Sequence, residues 1–301
     1  MSPAHVDVAG SGFTVLDRIY EDNRRTHEEI GGSCGNVLWS LARLHHTVVP
    51  VLTLGEDQVG QTLRQNFSEA GADVSYIEMR TGIRTPLLAQ FVDGVGHHHF
   101  SSVCPETHHR YPRYHAIGVE ESEAASAMLS RCRVFYADRL SAGIVSAMET
   151  VASRGGIVFF EPSAVGDRDL FARALASVSI IKCSQDRIQD LEGMLGRQRV
   201  YRVVTEGADG LRTGRQGGLT HMPAYVAGSV RDTSGSGDMV SVGLIDHLLK
   251  VGARADTIST SDLMSGLRAG QRLAAANCAF IGARGIFRHA SPDDARCALN
   301  G

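Results

Sequence analysis

The chain has 301 residues, 43% of them hydrophobic and 21% charged, with a formal net charge of -3. That composition belongs to a folded globular protein and lacks the basic excess of a general nucleic-acid binder. No basic-then-apolar leader opens the sequence and no apolar run could span a bilayer, so neither export nor membrane insertion is expected and a cytoplasmic protein is the default.

The 33 glycines exceed the usual share and predict many tight turns or ligand-facing loops. Six cysteines (Cys34, Cys104, Cys132, Cys183, Cys278 and Cys297) form no C-x-x-C pair, and read as small buried residues in a reducing compartment.

In chain order, His5 to Ala9 alternates as a first strand and runs into Gly10-Ser11-Gly12. This G-x-G is an incomplete dinucleotide fingerprint, because Val15 stands at the third glycine and no helical pattern follows. Phe13 to Tyr20 continues extended and carries one acid, Asp17. Gly31-Gly32 then turns the chain into a helix from Asn36, with apolar residues at 37, 38, 41 and 44. Such a turn suits a polar ligand, although Asn36 could equally be a plain helix cap.

Val48 to Thr53 reads as one strand, Gln61 to Ala70 as a helix and Ser75 to Met79 as another strand, which predicts a parallel sheet covered by helices. Thr85–Phe91 and His98–Val103 are strand-like runs joined through Asp93-Gly94, a hairpin signal that suggests a small separate sheet. Alternation lets at most His97 and His99 share a face, so the 97–99 histidines read as a polar face over a pocket rather than a metal site.

The alternation resumes with strands at Val134–Ala137, Ile157–Phe160, Val178–Lys182 and Arg199–Thr205, and with helices near Ala142–Ser153 and Phe171–Leu175. Asp17, Asp138, Glu161, Ser184 and Thr205 fall just past strand ends, where ligands collect in open parallel sheets.

Late in the chain, Asp232-Thr233-Ser234-Gly235-Ser236-Gly237-Asp238 leads into an apolar helical pattern. Small residues before a helix start expose N–H groups where an anion such as phosphate is attracted. Asp238 is then either a cap or a carboxylate poised beside that anion. Two further helices are expected over Ser261–Leu267 and Gln271–Ile281. No linker, fixed-period repeat or low-complexity tract divides the chain, which reads as one domain with a small β appendage.

Taken together these motifs resemble the ribokinase-like (PfkB-type) carbohydrate kinases over nearly the whole chain. Asp232 to Asp238 is similar to that family's D-T-x-G-A-G-D signature, and Gly31-Gly32 with Asn36 to its G-G-x-x-x-N turn. Gly55-Glu56-Asp57 with Gly60, and Thr205-Glu206-Gly207 with Gly210, are similar to two further glycine stretches.

The resemblance implies an α/β fold, a mainly parallel sheet flanked by helices, with a β lid drawn from about 12–30 and 84–104. It implies an ATP-dependent kinase acting on a hydroxyl, typically a hydroxymethyl, of a small sugar, sugar acid or nucleoside. Asp238 would be the base, and Gly235, Ser236 and Gly237 would meet the transferred phosphoryl group. Asp17, Gly31, Gly32 and Asn36 would bind substrate, with Asp138 a weaker candidate. Ser184, Thr205, Gly207, Gly210, Asn277 and Gly282 would line the nucleotide side. ATP and Mg2+ are implied, K+ is allowed, and pairing of exposed lid edges suggests a homodimer.

Three departures stand out. Ser184-Gln185-Asp186-Arg187 replaces the family's N-x-x-E, which helps place magnesium, and only a one-residue shift would bring Asp186 to the acid's position. Ser236 replaces an alanine, and Glu161-Pro162-Ser163 stands where Asp-Pro-Asn is common. The altered magnesium segment leaves a second reading open, a catalytically weak protein that binds sugar or nucleotide as a sensor. An oxidoreductase would rest on Gly10-x-Gly12 alone.

Overall fold

The structure, a computed structural model, describes residues 5–22, 24–92, 98–195, 200–215 and 218–301. Its strands are β1 (Val6–Ser11), β2 (Val15–Glu21), β3 (Arg24–Gly31), β4 (Val48–Pro50), β5 (Leu52–Gly55), β6 (Ile77–Arg80), β7 (Leu87–Val92), β8 (His98–Ser101), β9 (Cys132–Ala137), β10 (Ile157–Phe160), β11 (Ile180–Ser184), β12 (Tyr201–Thr205), β13 (Leu211–Gly214) and β14 (Thr220–Met222).

Eight of them form one sheet in the order β14-β13-β12-β11-β10-β9-β1-β4. It is parallel from β12 to β4, with β13 and β14 added antiparallel. Strands covered on both faces must be apolar on both sides. Accordingly Val134 to Ala137 and Ile157 to Phe160 are buried without a break. The chain runs outward from β1 in both directions, so the crevice beyond its carboxyl end is a topological switch point.

A second sheet, β3-β2-β7-β8, stands apart from the first. Strands β7 and β8 pair antiparallel, Val92 opposite His98; the Asp93-Gly94 hairpin signal and His97 lie outside the described residues. Among those residues no helix is long and apolar enough to cross a membrane. All six cysteines are free thiols, and only Cys297 is exposed.

The segment expected as one strand over Val48–Thr53 divides between two sheets. Pro50 sits opposite Gly10 at the sheet edge and has no N–H to extend the ladder, so the chain turns away. Leu52–Gly55 then pairs with β6 instead.

The two late helices expected around Arg268 are a single helix, Thr260–Asn277. Its glycines do not break it because they are the contact surface. A Cβ on Gly243 would collide with Gly270, and one on Gly270 with the Val240 carbonyl, so this helix and Ser236–Lys250 cross at backbone distance. Helices Gln185–Leu195 and Pro292–Asn300 were not expected. The second begins with Ser291 and Asp294 in a capping box, a signal visible in the sequence.

The close crossing carries a prediction. Gly270→Ala should destabilise the protein by ~1–3 kcal/mol through overpacking, read as a lower Tm by calorimetry. A Tm equal to wild type would mean the helices have room to separate.

Candidate active site

The loop closing β1, the turn after β3 and the start of helix Ser236–Lys250 meet beyond the carboxyl end of the sheet. Gly32, at φ 76, turns β3 into helix Ser33–Arg43. Side chains are excluded there: a Cβ on Gly31 would overlap the Asp17 carboxylate, and one on Gly32 the Phe13 carbonyl. The two glycines therefore let Asp17, on β2, close over the turn.

Asp17 is 3% exposed and its Oδ1 has no hydrogen-bond partner. Burial, with Glu29 adding to it, pushes its carboxyl well above the usual carboxylate range, opposed by Arg284. A buried carboxylate oxygen without a partner at a glycine turn has unmet hydrogen-bonding capacity.

Asp238 lies in the first turn of its helix and is buried. The preceding Gly235, at φ 70, packs against Ala283 so closely that a Cβ would stand 2.5 Å from the Ala283 carbonyl oxygen. The amides of Gly237 and Asp238 begin the helix and lack intrahelical acceptors. Asn36 Nδ2 donates to Asp238 Oδ2 at 2.7 Å, joining residues 202 apart in sequence. Burial, and then the Glu161 charge, push the Asp238 carboxyl up to about 6, against the Asn36 hydrogen bond and Lys182.

Lys182 was missed by the sequence reading, although a lone lysine closing an apolar strand is a signal. It is 1% exposed and its Nζ pairs with Glu161 Oε1. Glu161 Oε2 also accepts from the Tyr136 hydroxyl at 3.0 Å and from Ser241 Oγ at 2.8 Å. Lys182 Nζ stands 3.6 Å from where a Cβ of Gly237 would be, so a buried cation neighbours the phosphate-type turn.

Asp138 is committed locally. Oδ1 accepts from the Phe13 N–H at 2.7 Å and Oδ2 pairs with Arg139 at 3.1 Å, which fixes the loop after β1. Burial lifts its carboxyl to about 7.

The six residues expected on the nucleotide side are arranged unevenly. Ser184 and Thr205 are register neighbours on β11 and β12. Gly207 and Gly210 bound the turn after β12, both at positive φ. Asn277 is fully buried, and its amide ties down the 282–286 loop: Nδ2 donates to Ala283 O at 3.2 Å and Oδ1 accepts from Ile286 N at 3.0 Å. Asn277 thus shapes a loop instead of presenting a free group. Gly282 N donates to Asp232 Oδ2 at 2.8 Å.

Asp232, wholly buried, also accepts from Ser234 and Gln90, and His98 Nδ1 lies 3.4 Å from its Oδ1. These partners outweigh the penalty of burial and hold its carboxyl below the usual range. The histidine of β8 that reaches the signature is His98, while His99 stacks on Phe91 at 4.7 Å.

Among the described residues no cluster of three or more His, Cys, Asp or Glu could hold a metal. Asp186 and Arg187 lie exposed in the first turn of Gln185–Leu195.

Arg284 is the second residue the sequence reading missed. Only 4% exposed, it donates from Nε to Asn36 Oδ1 at 3.1 Å and from Nη2 to Ile30 O at 2.6 Å, and pairs with Glu29 at 3.3 Å. Its guanidinium lies 4.4 Å from the centre of the Trp39 ring. By occupying Asn36 Oδ1 it turns the amide so that Nδ2 faces Asp238. Arg284→Met would leave Glu29 with only Arg288, at 3.9 Å. The expected loss of stability is ~3–5 kcal/mol, as for other broken buried pairs, partly recovered in the Glu29→Gln/Arg284→Met double variant. A loss near zero in chemical denaturation would show the pair to be idle.

The pfkB family carbohydrate kinase profile matches residues 13–287. Aminoimidazole riboside kinase of Salmonella typhimurium is 26% identical over 266 residues, covering 78% of each chain. Fructokinase of Escherichia coli is 23% identical over 272 residues, 81% of this chain and 85% of the other. Fructokinase from Xylella fastidiosa, solved with bound ATP, superposes with a TM-score of 0.77 at 20% identity, over 98% of this chain and 99% of that one. With its signature turns assembled in one crevice and the family profile spanning most of its length, the chain belongs to the pfkB family of carbohydrate kinases.

Proposed function

We propose that the protein transfers the γ-phosphate of ATP to a hydroxyl, typically a hydroxymethyl, of a small sugar, sugar acid or nucleoside. The observation that carries this reading is the buried Asp238 carboxylate, fixed by Asn36 at the start of a helix that opens with Gly235-Ser236-Gly237.

In this reading the acceptor hydroxyl binds beside Asp238, and Asp17, whose Oδ1 lacks a partner, accepts from a neighbouring hydroxyl. Asp238 removes the proton as the substrate oxygen attacks the γ-phosphorus and the bond to the β-phosphate oxygen breaks, leaving ADP. Phosphoryl transfer asks mainly for positioning and charge stabilisation. The first-turn amides and the helix dipole supply part of that, and Lys182 supplies a fixed positive charge nearby. Ser184, Thr205, Gly207 and Gly210 would face the nucleotide. Magnesium bound to ATP would neutralise charge on its phosphates.

Relatives point the same way. One is named a fructokinase and another an aminoimidazole riboside kinase, so both a sugar and a riboside belong in any substrate panel.

Asp238→Asn should fold normally and still bind ATP, yet turn over at least ~10²-fold more slowly, the usual contribution of a positioned base. Undiminished phosphorylation by that variant would remove Asp238 from the chemistry. The base works only when ionised, so kcat/KM should rise with pH through a midpoint near 6, where burial has pushed the carboxyl, and level off above it. A limb near the ordinary value of ~4 would mean the carboxylate is solvated in the working enzyme.

A further inference from the structure

One basic stretch has no part in the chemistry above. Thr107 to His115 holds three histidines, Arg110 and Arg113, and no acid, in a chain whose net charge is -3. It borders a cavity of about 270 Å³ whose walls include Phe13, Ser102, Arg110, Tyr111, Arg113 and Tyr114, and no carboxylate.

The cavity adjoins the substrate crevice through shared residues. Phe13 N–H donates to Asp138, and the Phe13 carbonyl lies against Gly32. Leu88, on the cavity wall, is the register neighbour of Asp17.

Arg110 and Arg113 line this space and Arg18 and Arg139 lie against two of its aromatic rings, and the four differ in their pairing. Arg18 pairs with Glu28 and leans on the Tyr111 ring at 5.8 Å; Arg139 pairs with Asp138 and lies 4.7 Å from the centre of the Phe13 ring. Arg110 and Arg113 form no ion pair among the described residues. The Tyr111 hydroxyl is buried and engaged by Arg18 and Cys104. The cavity therefore offers two uncommitted guanidiniums against aromatic walls, which is a donor set for a carboxylate or phosphate.

A second arginine-rich recess, near His5 and Arg254, is different in kind. There Arg133 holds Asp7 and the Leu249 carbonyl, Arg131 the Ala127 carbonyl and Arg254 the Arg154 carbonyl, so those cations close helix ends.

We propose that the acceptor substrate carries an anionic group, carboxylate or phosphate, bound in this cavity by Arg110 and Arg113. The proposal rests on the kinase reading for its chemistry, since the same molecule must present a hydroxyl to Asp238. It narrows the acceptor to an acidic polyol, a sugar acid or a sugar phosphate, over neutral sugars and nucleosides.

The test uses the full-length protein with matched acceptors: an aldohexose, the corresponding aldonic and 2-keto-3-deoxy acids, and the hexose 6-phosphate. ADP release is followed with each, and thermal stabilisation is measured in parallel without ATP. An acidic member should exceed the neutral hexose by ~10-fold or more in kcat/KM, the scale of charge-assisted hydrogen bonds. In Arg110→Gln/Arg113→Gln that ratio should fall toward 1, mainly through KM, and stabilisation by the acid should be lost. Whether the acid or the phosphate wins identifies the anionic group. Stabilisation by an acidic compound without turnover would support the anion site and count against the kinase chemistry. A neutral sugar or nucleoside preferred by wild type, a preference for acids that survives both substitutions, or no stabilisation by any acid would overturn the proposal.

Discussion

The hydrogen bond between Asn36 and Asp238 is the contact on which the site depends. It joins the turn after β3 to the start of a helix two hundred residues later, and it forms inside the protein, where a carboxylate is costly. Three features make that arrangement sustainable. Glycines at 31, 32 and 235 let backbones and carboxylates approach at distances a side chain would forbid. Arg284 fixes the Asn36 amide from the other side. Lys182 places a positive charge near Gly237, itself balanced by Glu161.

The result is a crevice rich in buried carboxylates of unequal character. Asp232 is held below the usual carboxylate range by its donors, whereas Asp17, Asp138 and Asp238 are pushed above it by burial. The donors around Asp232 outweigh its burial, whereas for the other three burial outweighs the donors they have. Arg284 and Glu29 extend the network into β3, so the second sheet is tied electrostatically to the group that orients Asp238.

Much of this was legible in the sequence, and the limits have physical causes. The strand–helix alternation and the glycine turns could be read because each depends on neighbours a few residues apart. Single-residue directions could not. Which of the adjacent histidines reaches Asp232 depends on strand register across the β7–β8 connection, and a slip of one residue reverses every side chain. Register points His98 inward. The ion pair between Glu29 and Arg284 has no local signature, because its partners lie at opposite ends of the chain. Helix Thr260–Asn277 was expected in two pieces; Gly270, which would weaken an isolated helix, is kept within it by packing against Ser236–Lys250. Asn277 shows the converse: a motif position whose side chain holds a loop together.

Selective ¹³C labelling of aspartate carboxyls, with a pH titration followed by NMR, tests most directly whether burial and Asn36 together tune Asp238. In wild type the Asp238 signal, assigned by its loss in Asp238→Asn, should titrate near 6. In Asn36→Ala, with the stabilising hydrogen bond gone, the midpoint should move higher. A midpoint near ~4 in both proteins, the value of a solvated aspartate, would contradict a buried, tuned base at the centre of this site.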